Sequence, residues 1–213
     1  MRAFNQDKPC ERVLIEQLAG DLLPKTGDLA TDQDQLIATG FLALGPKMLA
    51  EQDKGKMLID VADEQIDVVS KTFMGLTVSC ARCHDHKFDP ILQEDYFAMA
   101  GVFLSTKTMA NTNHVSRWVE VAIDGPDNPA IVARFEAELA QAKAELAALE
   151  ADDAAEDRDK RLKQLNARIK KLESEGAPLP KAMSVTEGAV GDVAVHVRGV
   201  HTNPRDTPTP RGV

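Results

Sequence analysis

Residues 79–90 read SCARCHDHKFDP. Two thiols stand three residues apart, an imidazole follows the second directly, and a further imidazole comes two residues later. Thiolates and imidazoles are ligands for borderline and soft metals, and a Cys-x-x-Cys pair can also cycle between dithiol and disulfide. Cys-x-x-Cys-His is in addition the spacing of covalent c-type haem attachment. On one helical turn the sulfurs of Cys80 and Cys83 can reach the two vinyl-derived positions of a porphyrin. The next imidazole, His84, then falls under the iron as its proximal ligand. With three cysteines and five histidines in 213 residues, chance would produce this string in roughly one such chain in a thousand. Coincidence is a poor explanation.

Other chemistries compete. Cys80, Cys83 and His86 have acceptable spacing for a zinc knuckle, with a fourth ligand drawn from His114, His196 or His201. A thioredoxin-like dithiol fits less well, because no βαβ pattern surrounds the pair, and a structural disulfide stays open. Haem c leads and zinc is second. For haem, the candidates opposite His84 are His114, His196, His201 and the methionines Met48, Met57, Met74, Met99 and Met109. His/Met ligation suits electron transfer, and an open position suits small-molecule or peroxide chemistry. His86 is too close in sequence to cross to the other face of the ring. His86, Lys87 and Asp89 instead read as contacts to a propionate or to the His84 imidazole, and Asp89-Pro90 reads equally well as a turn. Cys10 reads as a small buried hydrophobe. Asp60, Asp63, Glu64 and Asp67 read as an acidic first helical turn that complements the helix dipole. No Ser/His/Asp or paired-carboxylate arrangement points to a catalytic residue, so enzymatic activity is left open.

Something must hold these groups in place. A hydrophobic fraction of 43 % is enough for a core, while the net charge of −9 argues against a nucleic-acid binder. No run approaches the ~18 apolar residues that would span a bilayer, and MRAFNQDKPCERV lacks the apolar stretch of a signal peptide. The spacing predicts helices over 12–23, stopped by Pro24, over 32–44 with Asp32 as N-cap, over 63–76 and over 93–104. Residues 47–60 read as a polar loop, and 105–128 as irregular with a strand-like run at 118–123.

Composition then shifts. Ile131, Phe135, Leu139, Ala142, Leu146 and Leu149 recur at steps of three and four, and so do Leu162, Leu165, Ile169 and Leu172. The two sets do not share one register, and the acidic ADDAAED between them fits a turn. This predicts a coiled-coil-like antiparallel hairpin, with one long broken helix as the alternative. The arm is a solvated element that could engage a partner through residues 128–176. Residues 185–201 alternate with period two and predict a small β element, followed by an extended, poorly packed tail. The expectation is a mainly α chain: a helical domain carrying the motif (1–127), the arm (128–176) and a β-containing segment (177–213).

The strings GLTVSC, ARCHDHKFDPI and DYFAMAGVF resemble the cysteine segment of the large planctomycete cytochrome c-type proteins that carry two paired domains of unknown function. RAFNQDKP, EQLAGDLLP, ATGFLALGP and ADEQIDVV resemble the first of those domains, and VAVHVRGVHTNPRDTPTPRGV resembles the opening of the second. Cys10 falls where that family usually has an aromatic residue. The resemblance implies a haem-associated, extracytoplasmic (periplasmic or cell-surface) parent protein with no established activity, its Cys-x-x-Cys-His on Cys80, Cys83 and His84. It also implies that this chain is a fragment whose partners are a redox protein or the remainder of a larger multidomain chain. The competing expectation is a non-enzymatic structural or interaction module with zinc or a disulfide at the cysteine pair.

Overall fold

A computed structural model of the chain describes residues 2–151 and 157–212. The fold is mainly α, in two compact units: Met1–Val121 together with Ala182–Val213, and Ala122–Lys181.

The first unit opens with a single helical turn, α1 (Arg2–Asn5), then α2 (Cys10–Ala19), α3 (Leu29–Ala38), α4 (Lys54–Val69) and α5 (Gln93–Leu104). Helix α3 starts earlier than its apolar spacing predicts, because Asp28 and not Asp32 is the N-cap. Asp28 is extended, and its carboxylate accepts from the Thr31 amide at 2.9 Å. Asp32 instead accepts from the amide and hydroxyl of Thr26, at 2.7 Å each. Cys10 is not buried; it is the exposed first residue of α2.

The expected polar loop at 47–60 gives way to helix from Lys54 onward. Asp53 caps it, accepting from the Lys56 amide at 2.9 Å, and Met57 and Val61 are buried at 3 % and 6 % exposure. Tertiary burial outweighs the polar local composition. Helix α4 passes into a π-turn at Ser70–Met74, which Gly75 closes in the left-handed conformation at φ +67°. Asp60, Asp63, Glu64 and Asp67 therefore all lie beyond the first turn of α4, and the first-turn dipole reading of them is wrong.

Helix α5 matches its expected limits. Asp95 reaches back to the Leu92 amide at 2.8 Å, and Tyr96 and Phe97 are fully buried. Their rings meet edge to face at 5.0 Å. The core joins Ile66 and Val69 of α4, Val78 and Ala81 of the motif turn, Tyr96, Phe97 and Phe103 of α5, and Val185 and Val195.

Short strands follow: β1 (Thr106–Lys107), β2 (Met109–Asn111), β3 (Arg117–Trp118) and β4 (Glu120–Ala122), then β5 (Lys181–Met183), β6 (Thr186–Glu187), β7 (Val193–His196) and β8 (Pro204–Thr209). Within the first unit β1 pairs with β6, β2 with β3 and β7 with β8, all antiparallel. The tail is thus better ordered than its prolines suggest: β8 pairs with β7 while its side chains stay mostly exposed. Residues 182–212 share the core of the first unit, and the expectation that 177–213 open a further domain concerns a longer parent chain.

The second unit is the helical hairpin of α6 (Asn128–Ala151) and α7 (Arg158–Glu175). Ala142, Leu149 and Ile169 are buried between the helices. Arg168 pairs with Glu138 at 2.8 Å and Lys143 with Glu173 at 2.7 Å. Arg158, at the start of α7, donates to the Leu149 carbonyl near the end of α6 at 3.2 Å, so the helices run antiparallel. Most of the expected ADDAAED turn, residues 152–156, lies outside the described residues.

Candidate functional site

The motif begins on one turn of 3₁₀ helix, Val78–Arg82, with Cys83 as its C-cap. Three residues per turn place i and i+3 on the same edge. Val78 and Ala81 therefore share the buried edge, at 5 % and 0 % exposure, while Cys80 and Cys83 share an exposed one. Both thiols are free.

The turn is fixed to its neighbours by side chains of α4, α5 and the turn itself. Arg82, between the cysteines, forms a pair of ion pairs with α4, at 2.8 Å to Asp60 and 3.1 Å to Asp63. Asp63 also accepts the buried Tyr96 hydroxyl at 2.7 Å. Burial, reinforced by the Asp63 charge, pushes the Tyr96 phenol far up, so it stays a donor. Ser79 donates to Asp67 at 2.6 Å, and Lys71 joins the same carboxylate at 2.7 Å. Burial alone would raise the Asp60 and Asp67 pKa values, but hydrogen bonds from Lys56 and Arg82 on the first, and from Lys71 and Ser79 on the second, hold both below the usual range. The acidic face of α4 is thus the mount for the motif. Its signal was present in the sequence: positions 60, 63 and 67 lie on one helical face.

Buried Gln93 completes the mount from α5. Its amide group donates to the Arg82 carbonyl at 2.9 Å and to the His196 carbonyl of β7 at 3.1 Å, and its backbone amide donates to the Asp85 carboxylate at 2.9 Å. Gly199, at φ +72°, approaches so closely that a Cβ there would stand 2.6 Å from the Cys83 sulfur.

The two histidines of the motif differ in state. His84 is exposed, and its Nδ1 lies 2.7 Å from the Asp85 carbonyl. A carbonyl only accepts, so Nδ1 carries the proton and Nε2 keeps its lone pair free. In His86, whose side chain is 5 % exposed, Nδ1 accepts from the amides of Asp89 at 2.9 Å and Phe88 at 3.3 Å. Its Nε2 then carries the proton and donates to the Thr77 hydroxyl at 2.9 Å. His86 closes a loop, together with its own amide on the Ile91 carbonyl at 2.8 Å. The Asp89 carboxylate stands 3.3 Å from His86 Nδ1, and the Lys87 ammonium lies over the exposed Phe88 ring at 5.1 Å. No described hydrogen bond or ion pair connects His86, Lys87 or Asp89 to the His84 ring.

Of the other histidines, His196 is buried against Phe97, with ring centroids 4.9 Å apart and an unpartnered Nδ1. His201 Nε2 pairs with Asp53 at 2.9 Å, and His114 is exposed. Among the described residues no group of three or more His, Cys, Asp and Glu could hold a metal ion.

Two exposed thiols on one edge, followed by an exposed imidazole with a free Nε2, match the donor set that a c-type haem needs. Phe88 at 84 % exposure and Leu92 at 51 % follow them in the chain, and Val200 at 47 % lies in the turn that meets Cys83. Among the described residues no helix is long and apolar enough to cross a membrane.

A family model described as PSCyt2, a protein of unknown function (DUF1549), matches residues 1–108. No curated protein and no solved structure matches the chain.

Proposed function

The chain belongs to the PSCyt2 family of proteins of unknown function (DUF1549), and on that premise we propose that residues 79–90 are a covalent haem c site serving extracytoplasmic electron transfer, as an accessory redox element of a larger protein. The single observation that carries the reading is the hydrogen bond from His84 Nδ1 to the Asp85 carbonyl at 2.7 Å. Imidazoles that ligate metals characteristically donate their second ring nitrogen to a carbonyl or carboxylate, which fixes the tautomer and aims the free nitrogen.

Cys80 and Cys83 would hold the group by thioether bonds and His84 Nε2 would bind its iron; bound there, haem supplies one-electron chemistry. The rest of the chain supplies rigidity. Arg82 on Asp60 and Asp63 sets the azimuth of the turn, so both thiols face outward together. Gln93 pins the end of the turn, and His86 closes the loop behind it, leaving His84 unencumbered. The partner would be a redox protein or another part of the parent chain.

The test is mass spectrometry of the chain exported alongside a cytochrome c maturation system. A haem adduct on the peptide holding Cys80 and Cys83 is expected. An unmodified peptide sinks the proposal, and stoichiometric zinc lost on Cys80→Ser would replace it with the structural zinc reading.

A further inference from the structure

A hollow in the first unit is lined by neither Cys80 nor Cys83. A cavity of about 350 Å³ opens between α4, α5, the segment 106–112 and residues 188–189. It exists because the chain changes strand partners: β1 pairs with β6 for two residues, then β2 pairs with β3. The wall is held by backbone contact, since the Gly188 amide bonds the Ser105 carbonyl at 2.8 Å and a Cβ at Gly188 would stand 2.7 Å from that oxygen.

The buried part of the lining is mostly apolar: Val61, Ala62, Phe103 and Met109 are all at least nine-tenths buried, with the polar Gln65 and Thr108 beside them. Lys107 is the one charged side chain among the lining residues, and it is exposed. No carboxylate among the described residues pairs with it. The nearest acidic strand position, Glu187, is in register with Thr106, whereas Lys107 faces Thr186. Strand pleating therefore turns Glu187 away from Lys107. Lys107 is thus the one lining group that attracts anions, on a chain whose net charge is −9.

We infer that this cavity binds a small amphipathic carboxylate, a medium-chain or aromatic organic acid of roughly eight to ten carbons, with its tail on Val61, Phe103 and Met109 and its carboxylate on Lys107. The site is independent of the motif, so it can be tested on chain carrying no haem.

Isothermal titration with octanoate is the measurement, and octan-1-ol is the uncharged comparison. Saturable octanoate binding is expected, weakened about 1.5- to fivefold in Lys107→Gln, the range of a solvent-exposed ion pair. Octanol affinity should not change in that variant. Ala189→Trp, at an exposed lining position, should remove both ligands while leaving the melting temperature in place. Absence of octanoate binding to the native chain, equal octanoate affinity in Lys107→Gln, or undiminished binding in a folded Ala189→Trp chain would each overturn the inference.

Discussion

His84 and His86, two residues apart, hold opposite tautomers: His84 donates from Nδ1 to the Asp85 carbonyl at 2.7 Å, while His86 accepts at Nδ1 from the Asp89 amide at 2.9 Å. One ring is exposed with a free Nε2, and the other is buried with both nitrogens engaged. Stability should separate them. In urea unfolding of the haem-free chain, His86→Ala should cost about 2 kcal/mol, because it strands the Asp89 amide and the Thr77 hydroxyl. His84→Ala should change stability by less than about 0.5 kcal/mol. Equal costs would mean that His84 is also a structural group.

Gln93 holds two carbonyls from opposite sides of the site, Arg82 at 2.9 Å and His196 at 3.1 Å. Gln93→Leu keeps the volume and removes both donors, so a loss of about 2–3 kcal/mol is expected. Gln93→Glu should be no better, since it places a carboxylate against two acceptors. Hydrogen exchange at the amides of the motif turn reads the same effect locally, and unchanged protection there would contradict the role.

The buried ring of His196 gives a pH dependence. Burial first, then the positive charges of His201 and Arg82, hold its pKa below the usual histidine value. The unfolded chain therefore takes up the proton first as pH falls. Stability is full above about pH 6.5 and is lost as pH drops through the lower folded value. His196→Phe keeps the ring contact with Phe97 and removes the unpartnered Nδ1, so it should flatten the fall of the urea midpoint below about pH 6.5. A slope that survives the substitution assigns the dependence to another group.

Gly199 meets Cys83 at close range and at φ +72°. Gly199→Ala should cost about 2 kcal/mol from left-handed strain and the clash together. Combining it with Cys83→Ser, whose oxygen is smaller than sulfur, should recover part of that loss, so the pair should be non-additive in a double-mutant cycle. Strict additivity would mean that the strain is wholly local to the backbone.

These residues show what sequence patterns reveal and what they do not. Helix α5 was legible because Tyr96, Phe97, Ala100 and Phe103 mark one apolar face. The hairpin was legible because its apolar steps of three and four run for several turns. The start of α4 was not, since KGKMLID is polar and its helicity rests on the Asp53 cap and on tertiary burial of Met57 and Val61. Pattern does not separate Asp28 from Asp32 as the cap of α3, because Asp32 lies equally well before the apolar run. Within the site, Cys80, Cys83 and His84 announce themselves by spacing alone. Gln93, Gly199 and Arg82 do not, because their roles arise from contacts between segments far apart in the chain; only the acidic face of α4 that receives Arg82 shows in the spacing of positions 60, 63 and 67. The different states of His84 and His86 follow from which backbone groups each ring meets, and residue type does not encode that.

The central claim is that Cys80, Cys83 and His84 together attach a haem. Its most direct test is a pyridine haemochrome assay on the chain exported with a c-type maturation system and purified under denaturing conditions. One covalently retained haem per chain is expected, with the spectrum of two thioether links, and a shift to that of a single link in Cys80→Ser. A native chain that reaches the oxidising compartment folded, yet retains no haem after denaturation, would contradict it.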